Sequence, residues 1–190
     1  MIFSCSIWSM MRAALGVPLR TEESVPKLAP GSTAVYVLDV GQGDAVLICQ
    51  DGAYCLIDTG PAEAEEALLY DLHALDVESL DYLVLTHPHA DHTGNARAVL
   101  SDFPVKQLLL PLWEPGTDDT ADWPRQLAAS AAENGTEQIT AEPGDCYPLG
   151  GGTLVILQGG SGDAASVNDI SLCTMFTAGD FRFLDTGDAE

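Results

Sequence analysis

Basic residues are scarce in this sequence. Seven lysines and arginines stand against 29 aspartates and glutamates in 190 residues, a formal charge of −22. Such a surface attracts cations and repels polyanions at long range, so charge does not support a nucleic-acid partner. No basic stripe with interleaved aromatics offsets this. Cysteine is also sparse: Cys5, Cys49, Cys55, Cys146 and Cys173 are odd in number and form no C-x-x-C pair. That disfavours a disulfide framework and a cysteine-based zinc site. Cys49 and Cys55 fit adjacent strands, and read best as two small buried thiols. A long apolar run is missing as well. "MIFSCSIWSMMRAALGVPLR" is apolar, but Arg12 interrupts it and it lacks a basic start. It is too short and broken to read as a membrane span. A worn signal or anchor segment and a plain hydrophobic leader both remain open. Membrane association, or a place outside the cytoplasm, rests on that segment alone.

What is present fits one globular domain. Apolar content is 46%, with 18 glycines and 11 prolines, a turn-rich composition able to bury a core. "TEESVPKLAPGS" has the proline and polar content of a linker. Residues 1–30 therefore read as leader and linker, and 31–190 as the domain. The pattern from there is strand-rich. "TAVYVLDV" (33–40) and "DAVLICQ" (44–50) are short β-branched runs separated by "GQG". "GAYCLIDTG" (52–60) follows the hairpin signal Asp51-Gly52. Residues 62–75 read as a helix, with Pro61 and acidic residues at its start. "LDYLVLT" (80–86) is a buried strand, "NARAVLSDF" a helix, 105–112 a strand and 123–135 a helix closed by Gly135. "TLVILQ", "ISLCTMFTA" and "FRFLDTGD" are strand and turn. Two groups of strands with interspersed helices predict an α/β sandwich.

Histidine is scarce, yet concentrated. Of four in the chain, three lie in "THPHADHTGN" (86–95), and the fourth is His73. Pro88 disfavours helix at His87 and keeps the segment extended. Residues two apart in an extended chain point the same way, so His87 and His89 share one direction. Asp91 and His92 sit where the chain turns into the next helix and approach from a second angle. Imidazole and carboxylate suit Zn²⁺, Mn²⁺ or Fe²⁺. Four ligand-type residues in six positions are too many for one tetrahedral ion, which points to two adjacent ions. His73, alone in its helix, reads as a surface or half-buried residue. Far along the chain, "FRFLDTGDAE" (181–190) ends a strand in Gly187-Asp188, a carboxylate well placed to join such a cluster.

"HPHADH" resembles the His-x-His-x-Asp-His signature of the metallo-β-lactamase superfamily. More narrowly, "VLDVGQGDAVLI", "CLIDTG", "LVLTHPHADHTGN", "NDISL" and "TGDAE" occur in the order seen in the lactamase-like domain of ComEC-type DNA-uptake proteins. The resemblance runs from about Thr33 to Glu190. It implies an αββα sandwich, two mixed sheets flanked by helices, with the metal site at one edge between the sheets. It implies His87 and His89 at one ion, Asp91 and His92 at the other, and Asp188 bridging both. Asp44 and Asp58 would brace the site as strand-end residues behind the ligands. No histidine follows His92, so the third ligand many members supply would fall to Asn168 or Asp169. An amide oxygen there would tilt that ion toward Mn²⁺. The family pattern also continues past its Gly-Asp motif into a His-His-Gly-Ser stretch, so the domain is expected to lack its C-terminal portion at Glu190, with metal binding and turnover reduced accordingly.

The chemistry implied is water activation by two divalent ions, Zn or Mn, with Asp91 and Asp188 at the catalytic centre. The ComEC-like pattern favours a phosphodiester substrate, hence a phosphodiesterase or nuclease. Hydrolysis of another ester, lactone or amide in a small molecule is the alternative within that class. A catalytically silent metal-binding module of a surface assembly is the alternative outside it.

Overall fold

The computed structural model describes residues 28–112, 123–160 and 166–190. The apolar leader read at the start of the chain lies, through residue 27, outside the described residues.

Alternation along the strands decides how the layers stack. β1 (Thr33–Val37), β2 (Val46–Gln50), β3 (Ala53–Ile57), β4 (Leu80–Val84), β5 (Val105–Leu110) and β6 (Glu137–Thr140) form one sheet in sequence order. β7 (Cys146–Leu149), β8 (Gly152–Gln158), β9 (Cys173–Ala178) and β10 (Phe181–Asp185) form a second sheet, ordered β10-β9-β8-β7. Leu47, Leu56, Leu83 and Leu108 face one way from the first sheet, into a core shared with the helices. Val46, Ile48, Cys55, Ile57, Val84 and Leu109 face the other way, against Leu149, Leu154, Ile156 and Phe176 of the second sheet. One-residue alternation thus builds two cores from the same strands.

Connection length sets strand direction. β2 and β3 are joined through Asp51 and Gly52, both with positive φ (53° and 79°), the twist a tight hairpin needs. Beyond β3 each step is parallel and needs a crossover. The crossovers are α1 (Glu65–Ala74, entered through a 3-10 turn at Ala62–Ala64), then the pair α2 (Ala90–Thr93) and α3 (Ala96–Asp102), then α4 (Trp123–Glu133). The first sheet is therefore mixed. The second is antiparallel throughout and not mixed as expected, because β7–β8 and β9–β10 are short hairpins and β9 returns antiparallel to β8.

Two strands escaped the sequence pattern. β6 is a short polar edge strand, Glu-Gln-Ile-Thr, with no alternation to read. β7 carries Pro148, tolerated because the strand is an edge. Cys49 and Cys55 are buried free thiols on β2 and β3. His73 is exposed on α1 and bonds Asp102 of α3 at 2.6 Å.

What matters for function is where strands end. β3 and β4 run parallel with Ile57 opposite Val84, so the residues after each emerge side by side. The end of β10, from the other sheet, comes to the same edge.

Phe176 is fully buried between the sheets. Phe176→Ala should lower unfolding free energy by about 3–5 kcal/mol in a denaturant titration, through lost burial and the cavity left behind. A loss below about 1 kcal/mol would show that the two sheets do not share a packed core there.

A candidate metal centre at the strand ends

Asp58 follows β3 directly and is fully buried. Its φ of 56° is unusual for a residue other than glycine, though aspartate tolerates it better than most. The bend turns its carboxylate toward the neighbouring strand end. Oδ1 accepts the Thr86 amide at 2.8 Å, and Oδ2 accepts the Thr86 hydroxyl at 2.6 Å. Oδ2 also meets Nδ1 of His92 at 2.6 Å. Burial leaves the Asp58 carboxyl raised, with His92 and the two Thr86 donors offsetting part of that push. All three partners donate, so Asp58 sits as an acceptor-only carboxylate.

These bonds assign the imidazole tautomers. The Thr86 hydroxyl spends its proton on Asp58, so at 3.0 Å it can only accept from Nδ1 of His87. That leaves Nε2 of His87 as a bare lone pair facing the site. Burial, with His92 and His89 nearby, holds His87 down to about 4, so it stays neutral. His92 behaves oppositely. Burial pulls its pKa down, but the Asp58 hydrogen bond and charge, with Asp188 and Asp91 behind them, outweigh burial and raise it to about 9.

Asp188 faces both rings from the second sheet. Its Oδ1 lies 3.2 Å from Nε2 of His92, and its Oδ2 3.8 Å from Nε2 of His87. Ligand atoms of His87, His92 and Asp188 all lie within 4.8 Å of one another. A second group, Asp44, Asp58 and His92, satisfies the same limit. His89 joins through its Nδ1, 3.0 Å from Nε2 of His87. Two nitrogens on one tetrahedral zinc, bound at about 2.0–2.1 Å, would be separated by about 3.3 Å. The donors therefore fit a metal in type and spacing, and His87 also in tautomer, while His92 has first to release a proton.

The remaining expected residues fall into different places. Asp91, on α2, stands outside both three-ligand groups, yet its charge acts on His87 and His92. Its backbone oxygen accepts the Asp44 amide. Asp44 is half-buried, pushed up mainly by burial. Asp169 caps its own turn, accepting the Ser166 amide at 3.0 Å. Asn168 is the better-disposed of that pair, because its buried Oδ1 has no hydrogen-bond partner among the described residues. The segment following it is tied to the histidine loop by Leu172 N–H donating to Thr86 O.

Glycines allow the loops to approach. A Cβ on Gly43 would come within 2.1 Å of Asp91 O, and one on Gly187 within 2.8 Å of Thr86 Oγ1. Asn95 closes the other flank, donating from its amide nitrogen to Thr59 O and Pro61 O at 2.8 Å. Sequence reasoning gave Thr86 no role beyond ending a strand. It also passed over Asp185, whose signal was its place on the same strand face as Phe183.

Comparison with known proteins bears on this site. A family model described as the metallo-beta-lactamase superfamily matches residues 38–188. ComE operon protein 3 of Bacillus subtilis (strain 168) is 28% identical over 177 residues, 82% of this chain and 22% of that protein. Competence protein ComA of Neisseria gonorrhoeae is 39% identical over 93 residues, 48% of this chain and 13% of that one. The chain thus spans about a fifth or less of these relatives' length. Among solved structures, CmlA, a diiron beta-hydroxylase from Streptomyces venezuelae, aligns with a TM-score of 0.55 at 18% identity, over 85% of this chain and 30% of that one. At that identity the likeness concerns the fold alone.

The His92 shift has a sign that can be tested in chelator. Its folded pKa of about 9 exceeds the ordinary 6.5, so the folded chain keeps a proton that the unfolded chain releases. The stabilisation is complete below pH 6.5 and is lost as pH rises through 9. The stability advantage of the metal-free chain over His92→Gln, read from urea midpoints in EDTA, should shrink between pH 6.5 and 9.5. An advantage that grows over that window would mean His92 is not held protonated by Asp58.

Proposed function

Because this chain belongs to the metallo-beta-lactamase superfamily, we propose that it is a metal-dependent hydrolase working through two divalent ions, zinc or manganese. The observation that carries this reading is the convergence of His87, His92 and Asp188 from two sheets onto one point. In this reading His87 and His89 would hold one ion, with Asn168 as a further ligand. Asp91 and His92 would hold the other. Asp188 would serve both, an assignment supported by its two oxygens facing different histidines.

Ions held there supply Lewis acidity and a hydroxide nucleophile near neutral pH. The chain's own residues prepare that chemistry. Thr86 and Asp58 fix the His87 and His92 imidazoles by the nitrogen that does not face the site, which orients these ligands and raises their basicity. His92 must release its second proton to bind a metal, so uptake is coupled to pH. Asp44 and Asp58 set two carboxyl groups beside His92, within 4.8 Å, a donor set suited to cations.

For the substrate we infer a phosphodiester, supported by similarity to the two competence-related proteins above. The charge of −22 favours a compact phosphodiester over a long nucleic-acid strand. Hydrolysis of a small ester, lactone or amide uses the same machinery and is the reading to fall back on. Membrane association through residues 1–30 belongs with the proposal, since the leader is apolar.

Elemental analysis and hydrolysis of bis-p-nitrophenyl phosphate with Mn²⁺ or Zn²⁺ test it together. Asp188→Ala should lose both ions, and His92→Ala chiefly one, because only a bridge touches both. Replacing residues behind metal ligands typically costs about 10–100-fold, so turnover in Asp188→Ala should fall by at least about 100-fold. Equal single-ion losses in the two variants would remove Asp188 from the bridge, and a fully loaded chain inert toward every ester tested would leave only a metal-binding module.

A further inference from the structure

Asp188 is held by surprisingly little. Its side chain is 43% exposed, and it lies on the turn after β10. The turn itself is therefore what aims it. Gly187, at φ 49°, packs against Thr86, and its N–H donates at 3.0 Å to Oδ1 of Asp185. Thr186 touches the second sheet through the Cys173 thiol, which lies 3.6 Å from its carbonyl oxygen.

Asp185 is an odd residue for its place. It shares a strand face with Phe183, which packs into the core between the sheets, while Leu184 between them is exposed. Its cross-strand partner is Thr174, whose hydroxyl is buried without a hydrogen-bond partner among the described residues. Asp185 is itself 7% exposed. An apolar side chain would fill this inward position at lower cost, since a buried carboxylate is expensive unless it is well paired. Burial pushes its carboxyl up to about 6, with the charges of Asp44 and Asp58 adding to the effect.

We infer that Asp185 is a positioning residue for the proposed metal centre: by accepting the Gly187 amide it fixes the turn that presents Asp188, at the expense of chain stability. The inference rests on the reading of Asp188 as a metal ligand. An apolar residue at 185 would leave the amide of half-buried Gly187 to water, a small loss, while sparing the burial of a carboxylate. Stability and metal affinity should consequently move in opposite directions, which a residue serving structure alone would not do.

The test uses the full 190-residue chain with the variants Asp185→Leu, Asp185→Asn and Asp188→Ala. Each is titrated with Mn²⁺ and Zn²⁺ alone by calorimetry, and unfolded with urea in EDTA at pH 7.5. Asp185→Leu should raise the urea midpoint of the metal-free chain while weakening metal binding about 10-fold or more. Asp185→Asn keeps an oxygen acceptor for Gly187 and should bind metal within about 3-fold of the parent. The inference is overturned if Asp185→Leu loses stability or fails to fold, if it binds metal like the parent, or if Asp185→Asn binds as weakly as Asp185→Leu. If Asp188→Ala itself binds metal like the parent, the underlying reading fails, and with it the inference; if only Asp185→Leu does, the reading stands and the inference alone falls.

Discussion

One buried carboxylate ties the site to the fold. Asp58 reaches the loop after β4 through both donors of Thr86, and the start of the next helix through His92. A charge in that position is tolerable only because each oxygen is occupied. Those partners are in place because β3 and β4 are parallel and paired at Ile57 and Val84, which sets the two exits next to each other. Leu56 and Leu83 on one face, and Ile57 and Val84 on the other, hold that register through two separate cores. A slip of one residue would exchange the faces of every strand residue and carry Asp58 away from Thr86. The chemistry at the edge thus inherits its geometry from apolar packing some distance away.

The two halves of the candidate centre are not equally secured. His87 and His92 are buried, and both are bonded by the ring nitrogen that faces away from Asp188. Asp188 comes from the other sheet on an exposed turn. Its distance from the histidines depends on how the sheets pack, on Phe176, Leu154 and Ile156 against Ile48 and Ile57, and on the local bond from Gly187 to Asp185. Flexibility in that turn would be felt first by whatever the three residues share. The nitrogen donors are thus held by buried hydrogen bonds, and the carboxylate by one local bond at the end of a strand.

Much of this was legible because it is contiguous or periodic. "HPHADH" packs its donors into six positions, and the alternating strands around it announce where the chain is buried. Asp51-Gly52 gave away its hairpin by residue type alone. The tautomer network was not legible, since Thr86 and Asp58 are 28 residues apart and meet only through strand pairing. β6 went unread because an edge strand needs no apolar face, and β7 because Pro148 masks it. Between Asn168 and Asp169 the sequence offered no choice. In the fold their side chains differ: Asp169 accepts the Ser166 amide, while the buried oxygen of Asn168 has no partner among the described residues. Asp185 drew no reading from the sequence, and only its burial on an inward strand face marks it out.

The surplus of acid bears on which substrates such a site admits. Asp44, Asp58, Asp91, Asp185 and Asp188 all act electrostatically on the same three-histidine cluster. Without cations the centre repels any anion, so affinity for a phosphate group would arise only once ions offset that charge. The offset is local. At physiological salt a charge is felt over about 8 Å, so one phosphodiester seated on the ions would escape most of the surrounding acidity. A strand long enough to carry many phosphates would lay the rest of them along a surface of the same sign. Each added phosphate then opposes binding, the reverse of the counterion-release gain that basic nucleic-acid-binding surfaces obtain. Electrostatics of this kind would select by substrate length before any pocket contact is made, so within the proposed phosphodiesterase reading the acidic surface favours small or terminal phosphodiesters.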